Sequence, residues 1–144
     1  MKEMDFIASF LREAAPVVRE MYANKRNINI ETKTYASDML TEADLTVQRE
    51  AVARIQAAFP GDFIVAEEGG QAALPEDPDT RCWVLDPIDG TSNFVRGLFP
   101  AFAISLAFSA GGERRAAGCI LPVMDELFLA EQGAGAFRNG ERIQ

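Results

Sequence analysis

Two short apolar runs in this chain end in acids. Phe63-Ile64-Val65-Ala66 is followed directly by Glu67-Glu68-Gly69-Gly70, and Cys82-Trp83-Val84-Leu85 by Asp86-Pro87-Ile88-Asp89-Gly90-Thr91. Runs of this length and polarity read as buried strands whose ends carry carboxylates. If the two strands are neighbours, Glu67, Asp86 and Asp89 converge, and like charges ~4 Å apart repel by about 4 kcal/mol at an effective dielectric of about 20. Protons or a cation must relieve that repulsion. The chain has no histidine, and neither Cys82 nor Cys119 has CxxC spacing. An all-oxygen cluster of this kind suits a hard cation, and magnesium better than a dedicated calcium cage.

Directly after these acids, Pro87 fixes the chain beyond Asp86, and Asp89-Gly90-Thr91-Ser92 reads as the start of a short helix. Glycine there permits close approach, and free backbone N–H groups at such a start suit a phosphate. Metal ligands beside a phosphate cradle point to phosphoryl chemistry, in which metal ions polarise the phosphate and lower the pKa of an attacking water. The absence of histidine excludes His-assisted nucleophiles and imidazole bases, which this reading does not need. Blander readings compete: Asp44 as a helix cap, Glu67 and Glu68 as a solvated pair, and Asp89-Gly90 as a turn. The clustering of acids around one stretch favours the site.

The stretch Asp86-Pro87-Ile88-Asp89-Gly90-Thr91-Ser92-Asn93-Phe94 resembles the DPIDGTxNF signature of the inositol monophosphatase family. Asp38-Met39-Leu40-Thr41-Glu42-Ala43-Asp44 is similar to that family's DxxTxAD element, and Ala66-Glu67-Glu68 to its acidic pair. Pro100-Ala101-Phe102, Asp125 to Phe128, Gly133 to Phe137 and Asn139-Gly140 follow in the family's order and spacing. The resemblance implies that Glu67, Asp86 and the Ile88 carbonyl hold one magnesium ion, with Asp86 and Asp89 contributing to a second. It implies that Thr91 and Glu67 position and activate water, that Asp44 supports Thr91, and that the Gly90 and Thr91 N–H groups grip the phosphate. Lys33 and Glu68 would be supporting residues. The family's second motif, a Trp-Asp element, is absent, so the chain resembles the amino-terminal half of the fold. The implied activity is magnesium-dependent hydrolysis of a small phosphomonoester, from a phosphorylated sugar or polyol. The rival is a non-catalytic metal-binding or interaction domain, and a homo-oligomer is expected if a face is left uncovered.

The elements that must position these residues are legible as periodicities. Phe6, Ile7, Phe10, Leu11, Ala14, Val17, Val18 and Met21 make one apolar helical stripe from about Lys2 to Ala23, which Pro16 is expected to kink or to split into two turns around Ala15. Ile28 to Thr34 alternates as a strand does. Thr41-Glu42-Ala43-Asp44 has the form of a capping box, opening a second helix that carries Val47, Ala51, Val52, Ile55, Ala58 and Phe59 and stops at Pro60-Gly61. Four further strands are expected at Ala101 to Phe108, Arg115 to Leu121, Glu126 to Glu131 and Gly135 to Arg138, joined by hairpin turns. Phe94, Phe99, Phe102 and Phe108 read as core. The fold class is α+β, two helices packed on an antiparallel sheet, as a single domain over residues 1–144.

Composition agrees with such a domain. The 144 residues are 48% hydrophobic, and 14 basic against 22 acidic residues give a net charge of -8. That surface disfavours nucleic acid and anionic lipid as partners. The start of the chain carries Lys2, Glu3 and Asp5 and has no signal-peptide core, and the run from Gly97 to Gly112 is too short and broken to span a bilayer, so a cytoplasmic protein with reduced thiols is expected.

Overall fold

The computed structural model describes residues 1–26, 33–66, 73–97 and 99–144, and within them not the side chains of residues 25–26, 33–41, 91–92 and 95. Helices α1 (Glu3–Arg26) and α2 (Lys33–Ala58) precede strands β1 (Phe63–Ala66) and β2 (Cys82–Asp89), then the six-residue helix α3 (Thr91–Arg96). Strands β3 (Ala103–Ala110), β4 (Glu113–Leu121), β5 (Glu126–Glu131), β6 (Gly135–Arg138) and β7 (Glu141–Ile143) complete the chain. The seven strands form one sheet in chain order. It is antiparallel from β2 onward, while β1 and β2 run parallel.

The helices lie on one face of this sheet. Alternation in β3 buries Ile104, Leu106 and Phe108 toward them, and in β4 Ala116, Gly118 and Ile120. Helix α1 meets them with Phe6, Ile7, Phe10, Leu11, Ala14 and Val18, and α2 adds Ala43, Val47, Ala51 and Ile55. Gly118 allows the closest approach: a Cβ there would lie 2.6 Å from Ile7 Cγ2 and 2.8 Å from Leu11 Cδ1. Phe6, Phe59, Trp83 and Phe108 form one aromatic cluster, and Tyr22, Phe94 and Phe102 a second. Asp62 ties the first cluster to the loop before β1, accepting from Trp83 Nε1 at 2.8 Å and from Arg81 Nε and Nη2 at 2.8 and 3.0 Å. Arg81 also donates to Glu3 at 2.9 Å and lies 4.6 Å over the Phe108 ring.

Several expectations are corrected. Helix α1 is not split at Pro16 but runs through it; the ring sits on the exposed side, where its missing N–H costs a bond in a helix otherwise held by buried residues on both flanks. Val17 is 42% exposed, and Tyr22 takes the buried place one turn on. Of the strand expected over Ile28 to Thr34, residues 28–32 lie outside the described residues, while Lys33 and Thr34 open α2. That helix starts eight residues before Thr41, so Thr41 to Asp44 is helix interior and not a capping box. No Gly or Pro interrupts residues 33–41, so nothing local stops the helix from extending back past Thr41. Phe99 is 56% exposed and is not core, whereas Phe94, Phe102 and Phe108 are. β2 runs on to Asp89, beyond the expected end at Leu85, and β7 was not foreseen. Its hairpin is the Asn139-Gly140 turn, both residues at positive φ (48° and 84°).

Candidate active site

The parallel pairing of β1 with β2 decides where the acids go. Phe63 faces Cys82 and Ala66 faces Leu85, so the two strands reach the same level at the same end of the sheet. The next residue of β2 is Asp86. The next residue after β1 is Glu67, which with Glu68 lies outside the described residues. The condition set by the sequence, that the two acid-bearing strands be neighbours, is met.

Past Leu85 the ladder between β2 and β3 shifts register. Asp86 faces Ser105 but Asp89 faces Ala103, so three steps along β2 match two along β3. Pro87, with no N–H to offer a ladder, sits inside this irregularity, where proline is tolerated in a sheet. The shift separates the fates of four residues. Pro87 and Ile88 are buried and anchor the segment, while Asp86 is half-buried and Asp89 exposed. Asp86 and Asp89 thereby stand on a strand held from beneath by Pro87 and Ile88.

Gly90 makes the turn out of β2. Its backbone is left-handed (φ 86°, ψ 36°) and it caps α3, with the N–H groups of Asn93 and Phe94 donating to its carbonyl at 3.0 and 3.1 Å. A side chain has no room here, because a Cβ would lie 2.7 Å from the Ala101 carbonyl oxygen and 3.1 Å from Phe102 Cα. Thr91 begins α3, and its side chain lies outside the description. Asp44 is 6% exposed, the one buried charged residue among those described. Lying within α2, it is not a cap, which removes the bland reading of that position; it makes interactions of its own. The side chain of Lys33 lies outside the description.

Among the described residues no group of three or more His, Cys, Asp or Glu side chains is placed to hold a metal ion. The described members of the proposed set, Asp86, Asp89 and the Ile88 carbonyl, supply oxygen alone, the donor type that magnesium takes. Cys82 is buried, and burial, with Asp62 nearby, pushes its thiol above the ordinary range. Reading the sequence missed Asn93, whose Nδ2 donates to the Ala101 carbonyl at 2.8 Å. Asn93 was read as part of the motif but given no role of its own, because its partner is a backbone atom eight residues away.

Among the described residues, the sheet face turned away from α1 and α2 is open. Val84, Ala107, Ala117, Cys119, Phe128 and Ile143 surround a shallow apolar trough of about 410 Å³, with Asp86 and Ser105 on the same face. No helix among the described residues is long and apolar enough to cross a membrane.

Comparison with known proteins agrees with the motifs. The model of the inositol monophosphatase family matches residues 1–144. A Thermotoga maritima protein named fructose-1,6-bisphosphatase/inositol-1-monophosphatase is 42% identical over 144 residues, all of this chain and 53% of its own length. The Nus factor SuhB of Vibrio cholerae is 37% identical over 134 residues, 92% of this chain and 48% of its own. The structure of a Thermotoga maritima IMPase superposes with a TM-score of 0.78 at 39% identity, covering all of this chain and 54% of that one. The chain belongs to the inositol monophosphatase family, with the fold of its amino-terminal half, and spans about half the length of the relatives it matches.

Proposed function

We propose that this chain carries the amino-terminal half of the active site of a magnesium-dependent phosphomonoesterase acting on inositol monophosphate or a related sugar phosphate. The observation that carries the proposal is the parallel pairing of β1 and β2, with Ala66 opposite Leu85, which brings two acid-bearing strand ends to one end of the sheet. In this reading Glu67, Asp86, Asp89 and the Ile88 carbonyl hold magnesium, which supplies charge neutralisation at the phosphate and a lowered pKa for the attacking water. The Gly90 turn presents its own N–H and that of Thr91 to the phosphate. Thr91 and Glu67 orient the water, and Asp44, buried on α2, supports Thr91. Water attacks phosphorus and the sugar oxygen leaves, with no bond formed between enzyme and phosphate.

We place the reaction in the cytoplasm, which the two free cysteines suit. The open apolar face makes self-association the expected state of this chain by itself. A second reading, a metal-binding or interaction domain without catalysis, draws support from the relative named as a Nus factor. The test is phosphate release from inositol monophosphate, fructose 1,6-bisphosphate and other sugar phosphates, with and without magnesium. It is run on this chain and on the longest open reading frame that contains it. Magnesium-dependent release by the longer protein supports the phosphatase reading, and none from any substrate favours the interaction domain.

A further inference from the structure

We infer that Asn93 is a positioning residue that sets the phosphate-facing turn at Gly90 and Thr91, an inference that rests on the phosphatase reading above. Three hydrogen bonds meet at this residue. Its N–H donates to the Gly90 carbonyl at 3.0 Å, its carbonyl accepts from the Gly97 N–H at 3.0 Å, and its amide Nδ2 donates to the Ala101 carbonyl at 2.8 Å. The first two close α3 at its ends. The third reaches out of the helix to the segment leading into β3.

The same Ala101 oxygen is the atom against which Gly90 is packed, at the distance that leaves no room for a Cβ. Asn93 therefore holds the wall on which the Gly90 turn rests. Inside the helix, Phe94 is fully buried between Tyr22 and Phe102, so apolar packing already fixes α3 to the core. The amide of Asn93 is left to fix a different coordinate, the distance between the turn and the Ala101 carbonyl. The carboxylates of β2 are held otherwise, by the pairing of Asp86 with Ser105 and of Asp89 with Ala103. Loss of the amide should thus loosen the turn and spare the metal ligands.

The experiment is calorimetric titration of the chain with manganese, then with inorganic phosphate at saturating manganese, for the unmodified protein, Asn93→Ala, Asn93→Asp and Asn93→Leu. The aspartate variant keeps the shape and loses the donor, and Asn93→Leu, similar in size and uncharged, separates loss of the donor from the repulsion that a new carboxylate would add. The expected result is manganese affinity within about twofold of the unmodified chain and phosphate affinity about tenfold weaker, the loss that one hydrogen bond supports. A purely structural role would lower the melting temperature without separating the two affinities. Equal phosphate affinity in variant and unmodified chains, or an unmodified chain that binds manganese but no phosphate, overturns the inference and leaves the metal site standing. An unmodified chain that binds no manganese overturns both.

Discussion

Replacing Gly90 by alanine tests the local architecture of the site by a route that does not depend on any ligand. Two costs add. Alanine in the left-handed region loses roughly 1–2 kcal/mol relative to glycine, and Gly90 sits at φ 86°. The new Cβ would also stand 2.7 Å from the Ala101 carbonyl oxygen. That atom is backbone held by the Asn93 amide, so it yields less readily than the end of a flexible side chain, and forcing it aside costs about 1–3 kcal/mol. The total is about 3 kcal/mol, or a fall in melting temperature of roughly 10 °C for a domain of this size.

Gly61 provides the internal control. Its φ is 92°, close to that of Gly90, but a Cβ there meets nothing within 4 Å. Gly61→Ala should therefore show the conformational cost alone, roughly 1–2 kcal/mol, and a correspondingly smaller shift. The assay is thermal and urea unfolding of both variants beside the unmodified chain, at one protein concentration because association would raise the apparent stability. Equal shifts for the two variants would refute the claim that the Ala101 carbonyl closes the space around Gly90.

In the longest reading frame containing this chain, Thr91→Ala should lower the maximal rate far more than it raises the Michaelis constant, because its hydroxyl is assigned to water and not to substrate. An unchanged rate with weakened binding would move Thr91 to recognition. The chain by itself should show little phosphate release and should associate through its open apolar face; light scattering reporting a monomer, together with full turnover, would contradict both. Burial pushes the Glu3 carboxyl up, but hydrogen bonds from its own backbone and from Arg81 outweigh it and hold the carboxyl below its ordinary 4.5. The resulting stabilisation is present above that value and lost as pH falls through the lowered one. The gap in melting temperature between the unmodified chain and Arg81→Ala should therefore narrow from about pH 6 to about pH 3, and a gap that widens would refute the assignment.

Periodicity carried the parts of the fold that depend on alternation. The stripe of α1, the buried runs of β1 and β2, and the meander from β3 to β6 all follow from spacing that a one-residue slip would invert. The start of α2 did not follow, because Thr41-Glu42-Ala43-Asp44 satisfies a local capping pattern while the residues before it are themselves able to extend the helix. β7 was hidden by its length: three exposed residues carry no pattern, and only the Asn139-Gly140 turn announced it. Near the candidate site, the places of Asp86 and Gly90 were legible because charge after an apolar run and glycine at a turn are local signals. The parallel register of β1 on β2, the shift around Pro87 and the Asn93 bond to Ala101 join residues far apart in sequence, and only the folded chain relates them.

The central claim is that Asp86, at the end of β2, is a ligand of a divalent cation. Calorimetric titration of the unmodified chain and of Asp86→Asn with magnesium or manganese tests it directly. The substitution keeps the side chain's shape and removes its charge, so the account predicts metal affinity reduced by at least about tenfold in a chain that still folds. An Asp86→Asn chain that binds the metal as well as the unmodified one would contradict it.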